Sequence, residues 1–181
     1  MAESEPKISL ERSLEHDPQF VQTYYDPAER GCLRLFYRNW HPTRLGKLVT
    51  RALAWMSGKG LTPPALLTMQ VRGRRSGRLH NTVLVVTKHE GQRYLVSMLG
   101  EGSDWVLNVR ATGGEVFVKR GQSSPVQLTE ISPRERASIL KAYCQVATSG
   151  REHFPVPHDA PLSDFDAIAE RYPVFRIDPL E

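Results

Sequence analysis

Two periods of apolar residues divide this chain. Between residues 43 and 57, Leu45, Leu48, Val49, Ala52, Leu53 and Met56 recur at helical spacing, with Arg44, Lys47 and Arg51 on the other side. Gly58, Gly60 and Pro63-Pro64 end that helix. The period then falls to two. Leu67, Met69 and Val71 alternate with Thr68 and Gln70, which predicts a strand. Strands follow at Asn81 to Lys88 and Arg93 to Met98, turned by Glu90-Gly91. Asp104 is the expected N-cap of a short helix through Ala111, stopped by Gly113-Gly114. Glu115 to Arg120 and Val126 to Ile131 form a second hairpin around Gly121 to Ser124. Ser132-Pro133-Arg134-Glu135 reads as a capping box, opening a helix with the stripe Ile139, Leu140, Tyr143, Cys144 and Ala147, and Gly150 ends it. After a proline-rich loop over 151–162, Ser163 starts a short helix, Asp164 to Arg171, and Pro173 to Ile177 is a closing strand. Antiparallel hairpins with helices towards the ends predict an α+β small barrel rather than a βαβ nucleotide-binding domain. Residues 1–42, polar with a few aromatics, read as an N-terminal arm, and 43–181 as a single domain.

Composition narrows the picture. The 181 residues suffice for one core. No apolar run is long enough to span a membrane, and the acidic, polar start lacks the layout of a secretory signal, so a cytoplasmic location is expected. The two cysteines, Cys32 and Cys144, are distant and are expected as buried thiols.

Charge is the more informative feature. The net +4 conceals a segment, Arg30 to His89, with twelve Lys and Arg and no Asp or Glu. The remaining residues carry twelve basic and 20 acidic side chains, a balance of −8. Such a block predicts an anionic partner, or else a basic face neutralised by the acidic half of the fold.

Two clusters could hold that anion. Arg74-Arg75-Ser76-Gly77-Arg78 lies between two strands; guanidinium forks suit phosphate and carboxylate, and glycine lets backbone approach a ligand. Further on, in Gly100-Glu-Gly-Ser-Asp-Trp-Val-Leu-Asn108, Trp105 and Asn108 share one helix face. Trp105 can wall a flat ring or simply pack; Asn108 can donate to and accept from a heterocycle edge.

Taken in order, LLTMQVRGRRSGRLHNTVLVV and YLVSMLGEGSDWVLNVRATGGEVFVKRG resemble the deazaflavin (coenzyme F-420)-dependent nitroreductase family over roughly Leu66 to Ile131. The resemblance implies a split β-barrel of mostly antiparallel strands, related to the flavin-binding split barrels, with flanking helices. It implies reduced deazaflavin as cofactor, with flavin mononucleotide or no cofactor as alternatives. It places Arg74, Arg75, Ser76 and Gly77 in the loop for the phosphate and polyglutamate tail, His80 where the family usually has arginine, Ser97 near the reactive ring, and Trp105 and Asn108 beside the cofactor. The chain also departs from the family at Val83 (often proline), Val85 (an aromatic in some members), Met98 (a basic residue) and Asp104 (proline, in a longer loop). The activity implied is hydride transfer to a small hydrophobic nitro-aromatic, quinone or enone. No catalytic side chain is assigned.

The alternative, also found among relatives of this fold, is a non-catalytic lipid or fatty-acid binder, or a peripheral protein on the inner membrane face. Helix 43–57, with Trp40 and Trp55 nearby, would then lie on anionic headgroups. Nucleic acid is not expected, because no recognition motif or aromatic-rich strand accompanies the arginines. His153, His158 and Asp159 are too sparse for a metal site, and no G-x-S-x-G elbow supports a serine triad. The oligomeric state is left open.

Overall fold

The computed structural model describes residues 37–38, 41–42, 65–148 and 150–180. Helix 43–57 and Cys32 lie outside them. Strands β1 (Tyr37–Arg38) and β2 (His41–Pro42) form a small antiparallel pair. The main body contains β3 (Leu66–Arg72), β4 (Leu79–His89), β5 (Gln92–Val96), helix α1 (Asp104–Ala111), β6 (Glu115–Arg120), β7 (Gln122–Glu130), α2 (Arg136–Val146), α3 (Leu162–Ile168) and β8 (Val174–Pro179). Six strands form a closed antiparallel barrel in the order β3-β4-β5-β8-β7-β6, with β6 returning to β3 through Thr68↔Lys119, Met69↔Val118 and Gln70↔Phe117. This is the expected α+β barrel with flanking helices.

Side-chain alternation builds two cores. Leu67, Met69, Val71, Leu95, Val116, Val126, Leu128, Phe175 and Ile177 fill the barrel, joined by Val106 and Val109 of α1. The opposite parity of β5 and β8 (Tyr94, Val96, Val174) faces outward, where Ile139, Leu140, Tyr143 and Cys144 of α2 and Phe165 and Ile168 of α3 cover it. One strand thus serves both cores because successive side chains point to opposite faces. Burial pushes the Cys144 thiol up to about 11, and it is a free, buried cysteine.

Several boundaries differ from expectation. Ser103, not Asp104, is the N-cap of α1, and it makes no side-chain cap bond; its hydroxyl pairs with Ser97 instead. Gln122 to Ser124 belong to β7, paired with Arg120, Lys119 and Val118 around a single turn residue, Gly121, at φ 84°. These residues are exposed and polar, so pairing rather than burial makes them strand. Pro125 is tolerated there because β8 pairs with β7 only from Val126 onward, leaving one edge open. The capping box does not form: Pro133–Glu135 is a 3₁₀ turn closed by the Glu135 amide donating to the Ser132 carbonyl at 2.9 Å, and α2 begins at Arg136. Helix α3 begins at Leu162 and ends in a 3₁₀ turn, Ala169–Arg171. The Glu90-Gly91 turn is as expected, with both residues at positive φ (48° and 76°), as a two-residue hairpin connection requires.

Candidate functional site

The β3–β4 loop has a fixed shape before any ligand is considered. The Gly73 amide donates to the Arg78 carbonyl and the Gly77 amide to the Gly73 carbonyl, each at 2.8 Å. Arg72 Nη1 donates to the Gly77 carbonyl at 2.9 Å, and the Arg78 amide donates to Ser76 Oγ at 3.3 Å. Gly77, at φ 65°, supplies the left-handed residue that folds the loop back. A Cβ at Gly73 would lie 2.5 Å from His80 Nε2 and 2.9 Å from Ser76 Oγ, so a side chain there would displace the His80 ring and the loop's serine. Ser76 Oγ and His80 Nε2 share a hydrogen bond of 3.2 Å, so His80 steadies the loop's serine.

The first turn and a half of α1 lies against this loop. Asn108, buried in the helix, accepts at Oδ1 from the Arg74 amide (3.1 Å) and from Arg74 Nη1 (2.9 Å). Asp104, one helical turn earlier, accepts at Oδ1 from Arg74 Nη2 at 3.1 Å. Asn108 Oδ1 is therefore committed to the protein, and the two-way reading of a heterocycle edge expected of this residue is not open to it in this arrangement. Trp105 is half-buried, its ring 5.4 Å from that of Phe175 and tilted by 59°. Ser97 is buried: its hydroxyl donates to the Gly100 carbonyl at 2.8 Å and meets Ser103 Oγ at 2.9 Å, closing the turn that launches α1.

Arg74, Ser76, Gly77, His80 and Asn108 thus come together, with Ser97 and Trp105 placed by the start of the same helix. Asp104 and Gly73 were missed as site residues. The signal for Asp104 was its i, i+4 relation to Asn108, which puts two acceptors on one helix face.

Arg75 and Arg78 are exposed and make no side-chain hydrogen bond or ion pair among the described residues, nor do the Arg75 and Ser76 amides donate there. Two guanidinium groups, two adjacent amides and a serine hydroxyl on a preformed, glycine-cornered loop suit a ligand carrying several negative oxygens. That donor set fits the anionic arm of a phosphorylated, acidic cofactor.

A second charged cluster sits at the other end of α1. Glu130 accepts from Arg110 Nε and Nη2 (2.8 and 2.6 Å) and from the buried Arg136 (3.0 Å), while Arg110 also reaches Glu101 at 2.6 Å. Arg136 further donates to the carbonyls of Ile131, Ala169, Glu170 and Tyr172. Hydrogen bonding from Arg110 holds the Glu130 carboxyl below its ordinary range. With every guanidinium nitrogen answered inside the protein, this cluster is a joint between elements.

Among solved structures, an F420-H2 dependent reductase is 17% identical, covering 64% of this chain and 95% of its own, with a TM-score of 0.44. A conserved hypothetical protein from Mycobacterium tuberculosis is 18% identical (72% of this chain, 80% of that one, TM-score 0.44). A protein described as a domain-swapped dimer is 18% identical (74% and 96%, TM-score 0.48). No curated protein matches. The F420H(2)-dependent quinone reductase family matches residues 44–150, more than half the chain and all of the loop-and-helix cluster. The chain belongs to that family, whose cofactor is the reduced deazaflavin coenzyme F-420.

Proposed function

We propose that the β3–β4 loop, Arg74 to Arg78, holds the phosphate and carboxylate groups of coenzyme F-420, and that the start of α1 flanks its ring. The loop carries this reading: among the described residues, four arginines within Arg72 to Arg78 meet one acidic side chain, Asp104, and Arg75 and Arg78 meet none. Trp105 borders the ring, buried Ser97 acts behind it by holding the turn that launches α1, and His80 acts through Ser76. When bound in its reduced form, the deazaflavin supplies the hydride. The protein's share is to bind the charged arm, orient the ring by packing against it, and keep water from the reacting face. Residues 43–181 act as one domain.

Family membership makes the chain a deazaflavin-dependent reductase. For its acceptor we favour a small hydrophobic quinone, with nitro-aromatics and enones as further members of the same electrophile class. Each gains two electrons and a proton with the hydride, and a second proton from water completes reduction of a quinone. The test is anaerobic oxidation of reduced F-420 by the purified protein against a naphthoquinone, a nitro-aromatic and an enone. Turnover with the quinone at the highest kcat/KM is expected, and turnover with none of the three would contradict the reading.

Peripheral attachment to an anionic membrane is a second property consistent with the basic face of 43–57. Among the described residues no helix is long and apolar enough to cross a membrane. Vesicle co-sedimentation that rises with anionic lipid and is lost when Arg44, Lys47 and Arg51 become Gln would support attachment; sedimentation indifferent to lipid charge would refute it.

A further inference from the structure

The loop arginines are not equivalent in this structure. Among the described residues, Arg74 alone has its guanidinium held by side chains of another element, from two positions of α1. Its backbone amide is taken as well. The Asp104 carboxylate is 69% exposed, so its pair with Arg74 lies in water and contributes little alone. Asn108 differs: it is 6% exposed, and one oxygen receives both the main-chain and the side-chain donor of Arg74. Removing that acceptor frees the first residue of the turn on which Gly77 and Arg78 are built.

We propose that Asn108 is a positioning residue that braces the anion loop through Arg74, so that Arg74 is a strut and Arg75 and Arg78 carry the contacts to the ligand's negative oxygens. The inference rests on the loop being the anion site, and it adds a division of labour within that site. Asp104, standing at a position where proline resembles the family pattern, is the outer half of the same strut. The brace explains how an exposed, arginine-rich loop keeps one conformation despite mutual repulsion: Arg74 is drawn onto the helix, Arg72 is bonded to the Gly77 carbonyl, and Arg75 and Arg78 are turned to solvent.

The experiment combines amide hydrogen exchange of the ligand-free protein with F-420 binding, followed by fluorescence titration at low and high salt. Asn108→Leu keeps the size of the side chain and deletes the acceptor. It should speed exchange across 73–78 and weaken F-420 binding, each by about tenfold. Asn108→Asp keeps the acceptor while exchanging the amide's N–H donors for a negative charge, and should leave exchange within about threefold of wild type. If the leucine variant does not fold, Asn108→Ser, whose hydroxyl is too short to reach Arg74, takes its place. Wild-type exchange in Asn108→Leu would overturn the brace. Exchange in Asn108→Asp as fast as in the leucine variant would also overturn it, because the retained acceptor would then not be what holds the loop. Tighter binding in Asp104→Asn that persists at high salt, where the lost charge is screened, would make Arg74 itself the ligand contact, restrained by Asp104, and overturn the division of labour. Arg75→Gln with Arg78→Gln should weaken binding and flatten its salt dependence with exchange unchanged. Unchanged affinity there, with a loosened loop in Asn108→Leu, would place the anion elsewhere and overturn the anion-site reading while leaving the strut intact.

Discussion

Gly114 shows how much a single residue can fix. It lies at φ 92°, and a Cβ there would run into the Leu128 carbonyl oxygen of the neighbouring strand. Its own amide donates to Val109, and its carbonyl accepts from the Leu128 amide, both at 2.9 Å. Gly114→Ala therefore combines backbone strain with a main-chain collision and should cost about 2 kcal/mol or more. Thermal denaturation would register that loss, and an unchanged Tm would show that β7 can step aside. Trp105 tests the site at the same scale. If its half-buried ring flanks the deazaflavin, F-420 should quench tryptophan emission, and Trp105→Phe should remove most of the quenching; quenching that persists undiminished would place the cofactor elsewhere. Sequence reading brought out Arg74, Arg75, Ser76, Trp105 and Asn108 because arginine, serine and asparagine have recognisable chemistry. It could not separate ligand contact from internal brace. That distinction depends on Asn108 Oδ1 lying 2.9 Å from Arg74 Nη1, a relation across 34 residues that no local pattern encodes.

Among the elements, the joint around Glu130 links β7, α1, the start of α2 and the turn before β8. The Arg110 hydrogen bond holds the Glu130 carboxyl below the ordinary glutamate range. A depressed folded pKa contributes stability that is present above the unfolded value and lost as pH falls through the folded one. Glu130→Gln should therefore destabilise the protein at neutral pH by about 2 kcal/mol, and the difference between variant and wild type should shrink towards low pH. Urea unfolding across that window is the measurement, and a pH-independent difference would refute the linkage. Glu130 was not legible as a hub, because Arg110 and Arg136, 20 and six residues away in the chain, meet it only once the β6–β7 hairpin and the turn into α2 have formed. Among the described residues, the strands and helices were read well where apolar residues recur, as in β3 and α2. The readings failed where structure depends on polar pairing or backbone geometry: Gln122 to Ser124 entered β7 without any apolar signal, and Ser132 and Glu135 made a 3₁₀ turn instead of a capping box.

For the whole molecule, barrel closure places the basic β3–β4 loop beside the first turns of α1, uniting two segments about 30 residues apart in the chain. The +12 charge of Arg30 to His89 has its described focus there, in the three arginines of that loop and Arg72 at the end of β3. The resemblance to deazaflavin-dependent enzymes was readable because loop, hairpin and helix follow one another in order, and the family match over 44–150 agrees with it. The central claim is that this loop binds the anionic arm of coenzyme F-420. The measurement that tests it most directly is a titration of wild type and the Arg75→Gln/Arg78→Gln variant with F-420 at two salt concentrations. The account predicts a loss of about 1.5–3 kcal/mol for each charged hydrogen bond removed, with a weaker salt dependence in the variant. Wild-type affinity and wild-type salt dependence in the folded variant would contradict it.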